Sequence, residues 1–453
     1  MTQETPSRAE RGSTRVDPTQ GSVRSAVLRL SGPAVATALL QTVFNITDTF
    51  WVGRGLGPEA LAGVSTAGFV VWMVLSLAGV SGIGLTAVAS RRHGEGSPEA
   101  AAGAGYEAAL LAVALSVIVA VAGLAGLRGL FELMQTPPGV TAEGVGYLGV
   151  YLAGLPIVFL YYVMDAAFRA AGDTRTPFVL LAGAVSLNLV LDPLLILGVG
   201  PFPRLGIGGA ALATLLTRGL ACAAGYALLV RQGLVRRVRP GTERIARIVR
   251  IGLPVSVAGA VFSLVYILLT RITSSFGVAA LAALGVGHKV ESISYMACVG
   301  FGVAASTSVG QNLGAEQPTR ARRAGWLSSG LGMSVTAVTG AAFLLAPELI
   351  MQIFTDDPAV VAAGSSYLRI VSVAQIFMAL DLILESAMSG AGYTLLPMLL
   401  GITITVARLP MAEVLSGVLG VAGIWWAISS TTAARGVTMA WIWRRGAWED
   451  RAV

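Results

Sequence analysis

The chain alternates long apolar runs with short polar stretches, and the runs have the length of membrane spans. A helix needs about 20 apolar residues to cross the hydrocarbon core. By that rule about twelve spans are expected. They fall near 33–53, 63–88, 101–127, 145–164, 178–199, 207–230, 252–275, 281–309, 324–346, 366–388, 395–417 and 420–443. The first 28 residues are polar, rich in Arg, Ser and Thr, and hold no apolar h-region. No cleaved signal peptide is expected there. The first apolar run is too long for an h-region and continues into Asp48, so it reads as an uncleaved span. The pattern predicts an all-α polytopic membrane protein with twelve transmembrane helices.

The runs also repeat. Gly57-Pro58-Glu59-Ala60-Leu61-Ala62 overlies Gly277-Val278-Ala279-Ala280-Leu281-Ala282 (277 − 57 = 220). At the same shift Gly172-Asp173-Thr174-Arg175-Thr176-Pro177 overlies Gly392-Tyr393-Thr394-Leu395-Leu396-Pro397, and Gly82, Gly94 and Pro98 meet Gly302, Gly314 and Pro318. Near the ends Leu205-Gly206 matches Leu419-Gly420 only at a shift of 214, so a loop is six residues shorter in the second half. An even number of spans per half leaves the halves in the same orientation. Two parallel six-helix repeats are therefore expected, related by an axis along the membrane normal. The expected organisation is a cytoplasmic tail (1–28), an N-lobe (29–230), an Arg-rich linker (231–250), a C-lobe (251–445) and a second tail (446–453). Residues 243–250 alternate Arg with aliphatics at helical spacing, which predicts a short interfacial helix before span 7.

Composition agrees with the membrane reading. Hydrophobic residues make up 55%, charged residues 12%, and mean hydropathy is +0.75, whereas a soluble chain carries roughly 25% charge. The net charge of +7 does not imply a nucleic-acid partner, because the arginines are sorted by loop. Arg91 and Arg92, Arg169 and Arg175, the 231–250 segment, and Arg320, Arg322 and Arg323 follow spans 2, 4, 6 and 8, on the side of both tails. The opposite side holds Glu348, Asp356 and Asp357. This is the positive-inside pattern with both termini cytoplasmic. Cys222 and Cys298 lie within apolar runs and read as small buried hydrophobes. The single lysine, Lys289, follows His288 rather than Gly, which excludes a Walker A loop. HExxH, GxSxG and zinc-finger spacings are absent, so no cofactor is expected and the chain reads as a transporter rather than an enzyme.

Ionisable residues inside spans are costly, and each is a functional candidate. Span 1 holds Gln41, Asn45 and Asp48; span 5 holds Asn188 and Asp192, one turn apart and followed by Pro193. Two carboxylates with amide and carbonyl oxygens can hold Na⁺ or share and release a proton. Thr214 in span 6 can add a hydroxyl. Tyr147 and Tyr151 lie one turn apart on span 4 and can face the same cavity, although aromatic residues also belong at the membrane interface. The second half does not copy this cluster: the shift of 220 places Leu268, Arg408 and Ala412 opposite Asp48, Asn188 and Asp192. Span 10 holds Asp381 and Glu385, the latter matching Asp165. These acids are expected to form ion pairs with Arg169 or Arg408 ahead of any transport role. Lys289 and Glu291 are expected to neutralise each other.

Several of these segments resemble the multidrug and toxic compound extrusion (MATE) family. Asp48 with Phe50-Trp51-Val52-Gly53 and Leu56-Gly57 is similar to its span-1 pattern, and Arg169-Ala170-Ala171-Gly172-Asp173-Thr174 to its Arg-Gly-x-Gly-Asp-Thr signature. Asn188-x-x-x-Asp192-Pro193 resembles its span-5 motif, and Val309-Gly310-Gln311-Asn312-Leu313-Gly314 its segment after span 8. The resemblance implies a V-shaped, two-lobed fold. It points to the DinF-like branch, in which Asp48, Asn188 and Asp192, with Thr214, bind the coupling cation. The NorM-like branch carries a Glu in span 7 where this chain has Phe262.

The expected function is a monomeric H⁺- or Na⁺-coupled antiporter of the cytoplasmic membrane. It exports small organic substrates, amphipathic and often cationic, by alternating access, with the lipid bilayer and no nucleic acid as its surroundings. The alternative is a lipid-linked oligosaccharide or precursor flippase of the same superfamily.

Overall fold

The structure is a computed structural model, and it describes residues 15–133 and 137–450. The described residues form helices joined by short loops, with no strand among them. The first repeat comprises α1 (Val23–Leu56), α2 (Pro58–Gly94), α3 (Pro98–Leu133), α4 (Pro138–Ala153), α5 (Leu155–Ala170), α6 (Arg175–Leu197) and α7 (Ile207–Arg231). The second comprises α8 (Thr242–Ser274), α9 (Val278–Gly314), α10 (Pro318–Leu345), the short α11 (Pro347–Gln352), α12 (Pro358–Val371), α13 (Ala374–Gly390), α14 (Leu395–Leu419) and α15 (Val421–Arg445). Among the described residues nine helices are long and apolar enough to cross a membrane, and two bent pairs bring the count to eleven. The twelfth span is α15, whose run of Ser429, Ser430, Thr431 and Thr432 followed by Arg435 dilutes its apolarity.

Two expected spans are broken. α4 and α5 meet at 55°, and α12 and α13 at 59°. The first break has a local cause, because Pro156 has no N–H to give to Leu152 and Gly154 packs hard against Leu215. The second falls at the equivalent repeat position, Ala374, without a Gly or Pro to cause it. There the Ser429 hydroxyl donates to the Ile370 carbonyl at 3.0 Å, satisfying an acceptor that the break frees. Gly340 also lets α10 approach the Ser372 carbonyl closely.

The expected interfacial helix at 243–250 is not a separate element. It is the first quarter of α8, which runs on through Pro254. The linker is held instead by Glu107 of α3, which is fully buried and accepts from Gly241 N at 2.9 Å and Arg244 Nε at 2.8 Å. α1 likewise begins at Val23, ahead of position 29.

The lobes meet where α1 packs on α9 and α2 on α8. The repeat maps one of these contacts onto the other, as a two-fold axis along the membrane normal requires. At the end that carries the termini the lobes are sealed. Gln311 Nε2 donates to the Ala170 carbonyl at 2.6 Å and Thr307 Oγ1 to the Arg169 carbonyl at 3.1 Å. Gly94 of α2 lies against the Gln311 carbonyl, and its repeat partner Gly314 of α9 lies against the Arg91 carbonyl. Residues 15–21 cross this seal. Val16 N donates to the Gly172 carbonyl at 2.9 Å, and Arg320 donates to the carbonyls of Pro18, Gln20 and Gly21 at 2.9, 3.1 and 3.0 Å.

Candidate cation site in the first repeat

The sequence spacing and the packing converge on one point inside the first lobe. Asn188 and Asp192 share a face of α6, and Asn188 Nδ2 donates to Asp192 Oδ1 at 3.1 Å. α7 lies alongside because Gly209 allows its first turn onto the Leu195 carbonyl of α6, where a Cβ would come to 2.5 Å. One and a half turns further, Thr214 Oγ1 donates to Asp48 Oδ2 of α1 at 3.1 Å. α1 packs on α6 as well as on α7, so that Asp48 neighbours the Asn188–Asp192 pair. All four residues are buried, Asn188 and Asp192 completely.

The polar accounting is incomplete in one respect. Asp48 Oδ1, Asn188 Oδ1 and Asp192 Oδ2 are buried without a hydrogen-bond partner. Unmet buried acceptors are uncommon and costly. Three oxygens around two neighbouring carboxylates form a donor set that accepts a proton or a small hard cation, either of which relieves the repulsion between them. Among the described residues no group of three or more His, Cys, Asp or Glu side chains has metal-binding geometry.

The remaining first-lobe candidates lie on α1 and α4. Tyr147 and Tyr151 are buried and stacked, with ring centroids 6.1 Å apart and planes at 13°. Gln41 Nε2 donates to Asn45 Oδ1 at 3.2 Å, and Gln41 Oε1 accepts from Arg218 Nη2 at 3.2 Å.

In the second lobe the pairing differs from expectation. Asp381 and Glu385 are joined to Arg435 of α15, at 2.9 and 3.2 Å, and not to Arg408 or Arg169. Arg169 pairs with Asp165 at 2.9 Å. Arg408 donates to Thr431 and Thr432 at 2.8 and 3.3 Å and lies 5.2 Å from the Tyr266 ring. Glu291 does not meet Lys289, which is exposed; it accepts from the Tyr367 hydroxyl and from Gln375 Nε2. Arg435 escaped sequence reasoning because the shift between repeats slips near the chain's end, leaving it no obvious counterpart. The signal available was an Arg on a span facing two acids one turn apart. Replacing Arg435 with Leu strands two buried acids and is expected to cost about 3 kcal/mol, read as a lower unfolding temperature in detergent.

The motifs at the loop ends have structural roles here. Asp173 caps α6: Oδ1 accepts from Arg175 N and Thr176 N at 3.1 and 2.9 Å, and Oδ2 from Thr176 Oγ1 at 2.6 Å. Gln311 and Asn312 belong to the seal, Asn312 Nδ2 donating to the Pro18 carbonyl at 3.3 Å.

Known proteins resemble this chain along nearly its whole length. The protein named "Probable multidrug resistance protein NorM" of Thermotoga maritima is 30% identical over 446 residues, covering 95% of this chain and 94% of its own length. The "FAD transporter" of Shewanella oneidensis is 27% identical, covering 92% and 94%. A solved structure of a MATE family transporter in an outward-facing conformation superposes with a TM-score of 0.88 at 24% identity, covering 95% of this chain and 98% of that one. The MatE family profile matches residues 33–194 and again 254–414, once per repeat. The chain therefore belongs to the MatE family, and it is a membrane transporter rather than an enzyme.

Proposed function

We propose that this protein is an H⁺- or Na⁺-coupled antiporter of the DinF-like branch. It exports small organic, amphipathic molecules across the cytoplasmic membrane as a monomer, with both termini in the cytoplasm. The observation that carries the reading is one buried cluster in which Thr214 bonds Asp48 and Asn188 bonds Asp192 while three oxygens stay unpartnered. The branch assignment is supported by the acids of α1 and α6 and by Phe262 on α8. The names of the relatives support export of organic cargo, and one of them names an organic anion, FAD.

The mechanism follows from the cost of buried charge. With neither proton nor cation bound, two apposed carboxylates are unstable in a site this dry. Binding a cation removes the repulsion and draws α1, α6 and α7 together around Asp48, Asp192 and Thr214. A ligand shifts a two-state equilibrium only by its differential affinity for the states, and here that difference is the geometry of one site in one lobe. The sealed end, crossed by residues 15–21, is the cytoplasmic gate, and cargo leaves from the other face. Loading proteoliposomes with an organic dye and imposing a pH gradient or a Na⁺ gradient tests the reading. One gradient drives dye movement and the other does not; movement that follows neither refutes it.

A further inference from the structure

Arg218 sits on α7 one turn beyond Thr214, on the same face, and is 5% exposed. Its guanidinium meets no carboxylate at ion-pair distance among the described residues. Nη2 donates to the neutral Gln41, while Nε and Nη1 are buried without a partner. Phe44 and Tyr161 present their rings at 5.2 and 5.5 Å. Asp48 follows Phe44 by one turn on α1 and accepts from Thr214, one turn before Arg218 on α7, and its Oδ1 is also unpartnered.

The second repeat shows what such an arginine looks like when it is satisfied. Arg435 crosses to Asp381 and Glu385 of α13. The equivalent positions of α5 are Tyr161 and Asp165, a shift of 220 earlier. Tyr161 stacks on Arg218 instead of pairing with it, and Asp165 is taken by Arg169. The first repeat thus keeps a buried guanidinium on the matching helix but withholds its acid. A buried, unpaired arginine is expensive, and a rotamer change along a flexible stem suffices to carry its head one helical turn.

Resting on the reading of Asp48 as the coupling site, we propose that Arg218 is a tethered substitute cation. When the proton or Na⁺ leaves, Arg218 swings from Gln41 to Asp48 and takes its place. When the cation returns, Arg218 is displaced to the neutral Gln41 and the two rings. Competition of this kind weakens cation binding enough to permit release and prevents Asp48 from remaining ionised and unpaired. Arg218 is therefore a positioning residue for the coupling step.

The test is cation binding to purified protein, with ²²Na⁺ at fixed pH and proton uptake on acid titration, so that it does not depend on the cargo. Arg218→Gln is expected to lower the half-saturating concentration of the coupling cation about tenfold, the effect of deleting one nearby buried charge. Arg218→Lys keeps it near the wild-type value. Gln41→Glu gives Arg218 a permanent acid, as in the second lobe, and is expected to tighten cation binding as Arg218→Gln does. Should Arg218→Gln fail to fold, Gln41→Glu decides alone. An unchanged half-saturating concentration in the folded variants leaves Arg218 a packing role and overturns the proposal. Failure of the underlying reading looks different: wild type and Asp48→Asn then bind both cations alike.

Discussion

Asp48→Asn and Asp192→Asn are each expected to abolish gradient-driven export while the protein still inserts and folds. Asn keeps the shape of Asp and can still accept from Thr214 or Asn188, so the three-helix packing around the site survives. What disappears is one of the two facing charges. A site with a single carboxylate no longer needs a shared proton or cation, and cation binding ceases to separate one lobe arrangement from the other. Every 1.4 kcal/mol of lost bias is a factor of ten, and a buried like-charge contact is worth several kcal/mol. Transport in proteoliposomes is therefore expected to fall by about 100-fold or more, with an elution profile like that of wild type. Full drug resistance in cells expressing either variant would show that the site does not couple transport.

Gly94→Val is expected to hold the protein open at its sealed end. The repeat pairs Gly94 with Gly314 and Arg91 with Gln311. Each glycine presses on the backbone carbonyl of the residue equivalent to its own helical neighbour, across the lobe boundary. A Cβ at Gly94, the last residue of α2, would collide with the Gln311 carbonyl in the last turn of α9, so the backbone of one helix end must move away from the other. The same shift would separate Gln311 Nε2 from Ala170 and unseat residues 15–21 from Arg320. Several hydrogen bonds of about 1 kcal/mol each then count against the sealed state, and its population falls by one to two orders of magnitude. Spin labels placed at the exposed positions Glu99 and Arg323 report this as a longer distance in Gly94→Val than in the parent. An unchanged distance distribution would mean that the seal is not built on this contact.

Much of this molecule is legible before any folding is considered. Chain without water must satisfy every backbone polar group internally, which leaves helices as the form of each apolar run. Hydropathy therefore yields the spans, and the 220-residue repeat yields two lobes of like orientation. The convergence of Asn188 with Asp192 follows from helical spacing alone, four residues making one turn. That Asp48 and Thr214 join them was an implication of family resemblance, not of spacing. The breaks in spans 4 and 10 differ in kind. Gly154 and Pro156 announce the first, whereas the second at Ala374 exists because α10 and α15 pack there and Ser429 satisfies the freed carbonyl.

Charge pairing was the least legible part. Sequence alone determined which buried charges this protein carries, on which helices, and that the acidic cluster of the first repeat is not copied in the second. Only the tertiary structure decided that Asp381 and Glu385 belong to Arg435, that Glu291 belongs to Tyr367 and Gln375, and that Arg218 is left without an acid beside Asp48. The reason is geometric. Hydropathy and repeats are properties of a chain read in one dimension. Which guanidinium meets which carboxylate depends on the rotation and axial register of neighbouring helices. Those are set by backbone contacts at residues such as Gly209, Gly94 and Gly314, whose role appears only once two helices lie side by side.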